Sequence, residues 1–448
     1  MFSENQQLEN LISAIKALMP KPLFDLLSPL YHYLMAYAAT VYYGFPSSGM
    51  KVIGVTGSTG KSTVVQLIAK MFEEAGIPVA SASSISYKIN LEEVPNPIGN
   101  TMPGRFRLQK FLRSAKGQGA HYAVIEVTSE GILQKRHLGI KFDCAVFTNL
   151  EKEHIEKHGG FDGYAAAKQE LFKRAARFHV INADDEYAGL FSGFQAKAKF
   201  FYGIKGEADL RAQDIRTERG ETFFSVGDDN FKTKLIGKIN IYNILAALAV
   251  ARAYHVDTQK VAAALEKIKG IRGRLEEILP GETPLGFRAF VDYAHTPKAL
   301  VAVYDLLRET IKESGRPGRL ICVLGAAGGG RDKWKRPEFG RIASAMCDEV
   351  VLTDEDPFEE DPRTIVKEIE SGVADSKKEH LHIILERGDA IRTAVSMARG
   401  GDIVIATGKG SEAFIRIQNG RKIPWDDRRA FEAAMRPAEA PIKHDPRS

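Results

Sequence analysis

From residue 50 onward, short runs rich in Val and Ile alternate with longer segments whose apolar positions recur every three or four residues. That alternation is the signature of a parallel sheet with helices on its faces. The spacing predicts strands at 51–56, 122–127 and 144–149, with helices near 61–75 and 164–176. Between 209 and 235, apolar and polar residues alternate around Arg219-Gly220, which predicts an antiparallel hairpin on the flank of the sheet. Helices at about 240–254 and 258–269 follow. A second block then begins, with strands at 287–293, 320–324, 349–353, 382–385 and 402–406, set off by the Gly-Glu-Thr-Pro-Leu-Gly run at 281–286. The expected fold class is α/β: a short helical segment (1–48), a central parallel-sheet domain (49–278), a Rossmann-like α/β domain (279–436) and a mobile polar tail (437–448).

The amino terminus departs from this pattern. Between Leu26 and Met50 there is no Asp, Glu, Lys or Arg. Ser28-Pro29 reads as a cap followed by proline in the first turn, opening a helix over 30–43 that Gly44 and Pro46 stop. Such a helix is too short to span a bilayer. One reading places Leu30, Leu34, Tyr37 and Val41 against a core. The other is an interfacial helix in peripheral contact with a membrane, because Tyr31, Tyr33, Tyr37, Tyr42 and Tyr43 suit a headgroup boundary.

Composition narrows the function classes. The chain has 448 residues, 44% hydrophobic and 27% charged, an ordinary globular balance. Net charge is +5, from 62 basic and 57 acidic residues, which excludes a field strong enough to imply nucleic acid as a partner. Cys144, Cys322 and Cys347 are odd in number and far apart, forming neither a disulfide framework nor a zinc spacing. With no cleavable leader legible before Lys21, the expected location is the cytoplasm.

The strongest local signal is Gly57-Ser58-Thr59-Gly60-Lys61-Ser62-Thr63, placed between an apolar strand and a helix. The glycines let backbone N–H groups converge at a helix N-terminus, a ready anion site. Lys61 would reach the outer phosphates of ATP and the Ser62 hydroxyl would ligate Mg²⁺. The strict motif has glycine where Val55 stands, and Gly54 lies one earlier. Glu126 closes the strand at 122–127 and His154 follows the strand at 144–149, so both are expected at the carboxyl edge beside the loop. A carboxylate and an imidazole there can hold one or two Mg²⁺; equally, Glu126 can cap a helix and His154 can be a loop histidine.

With these residues in hand, the chain resembles the Mur ligases, ATP-dependent amide-forming enzymes of peptidoglycan precursor synthesis, over about residues 52–428. Where the family usually has Gly-Thr-Asn-Gly-Lys-Thr-Thr, this chain has the similar Gly57-Ser-Thr-Gly-Lys-Ser-Thr63. Asn100-Thr101-Met102-Pro103 is similar to the Asn-Thr-Thr-Pro that holds the muramoyl substrate. The segment from Glu126 to Glu130 stands where the family has Glu-Val-Ser-Ser-His, which makes Glu126 the magnesium carboxylate and Thr128, Gln134 and Arg136 substrate contacts. Asn149-Leu-Glu-Lys-Glu-His154 implies that His154 binds a second magnesium. Tyr164-Ala-Ala-Ala-Lys168 places Lys168 where the family carries a carbamate, an anionic metal ligand or orienter.

The resemblance extends into the second block. Asn240-Ile-Tyr-Asn243 is similar to the adenine-side Asn-x-x-Asn, and Gly273-Arg274-Leu-Glu276 implies that Arg274 meets nucleotide phosphates. Asp292-Tyr293-Ala-His-Thr-Pro297 reproduces a family motif without change and implies a place near nucleotide for Asp292 and Tyr293. Arg331 stands where the incoming amino acid's carboxylate is bound, and Gly408 and Glu412 where that amino acid is met. Diaminopimelate-adding members carry Asp-Asn-Pro-Arg; here Glu355-Asp356-Pro357-Phe358 lacks the arginine. Six of the eight residues from Asp354 to Asp361 are acidic, either a solvated loop or a site for a side-chain ammonium, which favours lysine.

The family's UDP-gripping first domain is longer than the segment before Val52, and its uridine motifs find no match there. A lipid-linked or other non-UDP acceptor therefore stays open, as do a folylpolyglutamate- or cyanophycin-type ligase and, in another class, a phosphate-loop kinase or switch protein. The activity implied is an ATP-dependent ligase adding an amino acid to muramoyl-L-Ala-D-Glu through an acyl phosphate, with small-molecule substrates.

Overall fold

The computed structural model describes residues 21–96, 101–151, 158–218, 220–279, 286–330 and 332–436. Asn100, His154, Arg331 and the expected tail at 437–448 lie outside the described residues. The chain divides into two units, at Lys269/Gly270.

In the first unit, Lys51–Thr56 is an interior strand of an eleven-stranded sheet. It pairs in parallel with Tyr122–Glu126 on one side and Phe142–Phe147 on the other. Val52, Ile53, Val55, Val124 and Val146 are wholly buried, as expected for a parallel strand covered on both faces. Val79–Ala82 extends the parallel set beyond Tyr122–Glu126, and Phe178–Asn182 and Ala198–Gly203 extend it beyond Phe142–Phe147. These three strands were not legible in the sequence. Two short antiparallel strands, Ser86–Ile89 and Glu92–Pro95, finish one edge. At the other edge the expected hairpin is a three-stranded meander of Leu210–Glu218, Glu221–Val226 and Asp229–Thr233, because a second tight turn at Gly227 adds a return strand.

The amino-terminal helix runs Lys21–Tyr42 with Pro29 inside it, so Ser28-Pro29 is not its cap. Apolar spacing at Leu23, Leu26, Leu27 and Leu30 begins upstream of the proline and outweighs the one N–H it removes. The expected core face is also reversed. Leu30, Leu34, Tyr37 and Val41 are exposed, whereas Ala36, Ala39 and Thr40 are buried. Small side chains govern this, since they let the helix approach so closely that a Cβ on Gly139 would sit 1.9 Å from Thr40 Oγ1.

The second unit holds a six-stranded sheet ordered Glu276–Ile278, Arg288–Val291, Ile403–Ala406, Leu320–Leu324, Glu349–Leu352 and Leu381–Ile383. All neighbours are parallel except the first pair. The strand Glu276–Ile278 therefore belongs to this unit, although the sequence placed residues 270–278 in the central domain. Phe414–Arg416 and Lys422–Pro424 form a separate hairpin.

Candidate active site

The strand Lys51–Thr56 runs directly into the glycine loop, and the helix Lys61–Glu74 starts at its far end. Gly57 and Gly60 adopt φ of +148° and +80°. Space excludes a side chain at both: a Cβ would lie 1.9 Å from Thr148 Oγ1 at Gly57 and 2.3 Å from Asn243 Oδ1 at Gly60. Thr148 Oγ1 donates to Thr59 O at 2.7 Å, and Thr59 N donates to Asn149 Oδ1 at 2.8 Å. The loop is thus held from outside by the residues that follow Phe142–Phe147. Lys61 Nζ donates to Ser58 O at 2.5 Å, so its ammonium lies over the loop.

Glu126 ends its strand at the same sheet edge. Its Oε2 accepts from Ser62 Oγ at 2.8 Å and from Ser84 N at 2.9 Å. A serine hydroxyl and a carboxylate in contact are a hard-oxygen pair of the kind Mg²⁺ accepts when water and phosphate complete its shell, so these residues fit that ion. No group of three or more His, Cys, Asp or Glu able to hold a metal occurs among the described residues. Lys168, from the helix Phe161–Arg174, is buried; its Nζ donates to Gly57 O at 2.6 Å and lies 4.4 Å from the Tyr164 ring centre. Tyr164 OH shares a 3.0 Å hydrogen bond with Ser58 Oγ. Asn240 and Asn243 are buried on the helix Lys238–Ala253, Asn243 packing against Gly60 and meeting Asn240 Oδ1 at 3.4 Å.

Met102, Thr128, Gln134 and Arg136 come together beside this edge. Thr128 caps the short helix Ser129–Leu133 by accepting from Gly131 N. Arg136 donates to Met102 O and to Gln134 Oε1. Arg105, which sequence reasoning missed, donates to Gln134 O at 2.7 Å. Burial lowers the pKa of both arginines, Arg105 to about 10. Tyr87 is buried, and burial pushes its hydroxyl well above the ordinary phenol range, with Arg107 and Arg136 opposing the shift. Half-buried guanidinium groups, Arg105 and Arg136, suit an acidic substrate. Thr101 opens the turn leading into this cluster.

In the second unit three loops meet. Asp292 accepts from Leu275 N and Ala294 N at 2.6 and 2.7 Å, and burial pushes its pKa up against the pull of Arg274. Arg274 lies over the Tyr293 ring at 4.2 Å. A Cβ on Gly273 would meet Ser411 N at 2.1 Å, so the loop carrying Gly408 and Glu412 is packed onto that carrying Arg274. The acidic loop departs from a free ammonium site. Asp356 is bound by Lys409 at 2.8 Å and by Arg416 at 2.6 Å, and Lys409 also pairs with Glu412 at 2.7 Å. Arg416 lies 6.0 Å from the Phe358 ring centre, and Phe358 N donates to Arg416 O; it comes from the small hairpin, and no local motif marks it. Glu355 alone in this set is buried with no hydrogen bond or ion pair to its carboxylate among the described residues. Its Oε2 lies 2.4 Å from where a Gly408 Cβ would be. Burial raises its pKa to about 7, against the influence of Lys409.

A phosphate loop on a parallel sheet, followed by a Rossmann-like α/β unit, defines a nucleotide-dependent α/β enzyme. Residues 55–251 match the Mur ligase middle domain, and 273–410 match the Mur ligase glutamate ligase domain. A UDP-N-acetylmuramyl-tripeptide synthetase of Roseiflexus sp. (strain RS-1) is 37% identical, covering 90% of this chain and 82% of that protein. A UDP-N-acetylmuramoyl-L-alanyl-D-glutamate–2,6-diaminopimelate ligase of Syntrophomonas wolfei is 35% identical, covering 90% and 81%. A solved structure of a ligase of that second name superposes with a TM-score of 0.58 at 30% identity, covering 86% of this chain and 78% of that one. Mycobacterium tuberculosis folylpolyglutamate synthase bound to ADP shares the fold, with a TM-score of 0.66 at 16% identity over 83% and 91%. The chain belongs to the Mur ligases and is an ATP-dependent amide ligase.

Proposed function

We propose that this ligase adds a diamino acid, L-lysine in preference to meso-diaminopimelate, to a muramoyl-L-Ala-D-Glu precursor of peptidoglycan. The observation that carries the reaction is Glu126 fixed to the phosphate-loop Ser62 with Lys168 on the same loop. A carboxylate does not react with an amine at neutral pH until its oxygen becomes part of a leaving group. Here the acceptor's carboxylate oxygen attacks the γ-phosphorus of ATP, the bond to the β-phosphate oxygen breaks, and ADP departs from an acyl phosphate. Lys61 and the N–H groups of Gly57, Ser58, Thr59, Gly60, Ser62 and Thr63 stabilise charge on the phosphate oxygens. Ser62, Glu126, His154 and carbamylated Lys168 are the residues that would hold Mg²⁺, which would draw charge from those oxygens when bound. In the first unit Asn240 and Asn243 take the adenine side of the nucleotide; in the second, Arg274, with Asp292 and Tyr293 beside it, is suited to nucleotide phosphate.

Asn100, Thr101, Met102, Thr128, Gln134 and Arg136 orient the acceptor. Arg331, Gly408 and Glu412 bind the backbone groups of the incoming amino acid. Its neutral amine then attacks the acyl carbon and phosphate leaves, taking the carbon–oxygen bond pair. The preference for lysine rests on Glu355: a desolvated carboxylate next to Gly408 complements a side-chain ammonium, and Phe358 offers nothing to a second carboxylate. Asp356, committed to Lys409 and Arg416, supports this loop rather than the substrate.

Release of ADP and phosphate would be measured with UDP-N-acetylmuramoyl-L-Ala-D-Glu across lysine, diaminopimelate and ornithine, with products identified by mass. A product heavier by one lysyl residue is expected. Turnover with diaminopimelate alone would overturn the specificity, and none with any amino acid, while ATP binds, would exclude a UDP-linked form of the acceptor.

A further inference from the structure

We infer that the amino-terminal helix and the basic helix packed against it form a docking surface for an anionic phospholipid bilayer. Among the described side chains of the helix Lys21–Tyr42 (27–42), only Ala36, Ala39 and Thr40 are buried, and Leu30 is 57%, Leu34 56%, Tyr37 60% and Tyr42 74% exposed. With Val41 they make an apolar stripe at helical spacing, and Phe45, just past the end of the helix, is exposed as well. A solvent-facing helix normally intersperses charge along such a stripe. Here residues 26–50 carry none, so nothing on the segment itself offsets the apolar area.

What covers the stripe is indicated by its neighbour. The helix Arg105–Gly117 packs against it and contains three arginines, two lysines and no acid. Phe106 sits beside Tyr42 and Tyr43, at 6.3 and 6.5 Å between ring centres. Lys110 and Arg113 follow Phe106 at i+4 and i+7, hence on the same face, and Arg113 is exposed. Lys116 reaches the end of the apolar segment, donating to Ser48 O at 2.6 Å. From residue 97 to 141 there are eight Lys and Arg against two Glu, one of them the Glu126 bound to Ser62. Apolar and aromatic side chains edged by cations complement lipid tails edged by anionic headgroups, with tyrosines at the boundary between them. No helix among the described residues is long and apolar enough to cross a membrane, so the segment lies on the surface.

The test is co-sedimentation of the full chain with vesicles of phosphatidylcholine alone or containing about 30% phosphatidylglycerol, at low and high salt. The expected result is binding to the anionic vesicles, weakened by salt. It should fall about tenfold or more in a Leu30→Ser, Leu34→Ser, Tyr37→Ser variant, and also in a Lys110→Glu, Arg113→Glu variant. Circular dichroism and ATP binding should match the parent in both, since these side chains lie outside the nucleotide site. Equal binding by parent and variants would overturn the inference. So would a dimer in sedimentation velocity that the serine variant dissociates, because a second copy would then cover the stripe. A monomer indifferent to anionic vesicles would overturn it as well. None of these outcomes depends on which amino acid the enzyme adds.

Discussion

Lys168 and Glu355 are two buried charged residues whose surroundings assign them opposite tasks. Lys168 is held on the phosphate loop by Gly57 O, so its removal should strike the phosphoryl step and spare nucleotide affinity. Lys168→Ala is expected to lower kcat by more than about a hundredfold with ATP affinity unchanged, checked by single-turnover kinetics and equilibrium binding. Glu355 is a carboxyl that burial keeps partly protonated near neutrality, with Lys409 and Arg387 opposing that shift and Asp356 and Glu412 adding to it. Only its ionised form attracts a side-chain ammonium. The KM for lysine should therefore rise as pH falls below about 7, while Glu355→Gln should show a high, pH-independent KM. The same shift has a sign for stability. The unfolded chain ionises first, from an ordinary value of 4.5, so this residue lowers stability progressively as pH rises towards about 7. Glu355→Gln should stabilise the second unit by roughly 1–3 kcal/mol at pH 8 and by nothing at pH 4, read by denaturant titration.

At the scale of elements, the parts that announced themselves were those with strong local signals. The strands Lys51–Thr56 and Leu320–Leu324 are β-branched runs between helical segments, and they were legible to the residue. Val79–Ala82 and Ser86–Ile89 lie in an Ala- and Ser-rich stretch without alternation; their partners across the sheet define them. The site divides in the same way. Its loop residues are contiguous and could be read, whereas Ser84 on Glu126, Arg105 on Gln134 and Arg416 on Asp356 are contacts between distant segments with no spacing to betray them. The glycine loop gives a clean test of element geometry. Gly57→Ala and Gly60→Ala each combine an unfavourable φ with a clash, and each should abolish ATP binding by calorimetry while the helical signal persists. A second test concerns the fully buried Arg387–Asp427 pair, at 2.7 Å, which ties the helix Arg387–Met397 to the helix Asp427–Ala434. Arg387→Met strands a buried carboxylate and should cost about 3–5 kcal/mol in urea unfolding.

At the scale of the whole molecule, the two units carry separate cores and the phosphate loop belongs to the first. Both tryptophans, Trp334 and Trp425, lie in the second. Tryptophan fluorescence should therefore follow the second unit, and circular dichroism both. Adding a non-hydrolysable ATP analogue at about 100 times its Kd should stabilise the first unit by about 2.7 kcal/mol. The circular dichroism transition is then expected to move to higher temperature, and coincident curves at every nucleotide concentration would mean that the units unfold as one.

The contact between Gly60 and Asn243 also fixes an order of events during synthesis. The loop is among the first parts of the first unit to leave the ribosome, yet the helix that braces it, Lys238–Ala253, is made almost two hundred residues later. Until that helix emerges, the loop has its contacts from Thr148 and Asn149 but lacks the Asn243 side chain that packs on Gly60. A stalled chain ending before Lys238 should be unable to sequester ATP, and competence should appear once the asparagine-bearing turn has joined the loop.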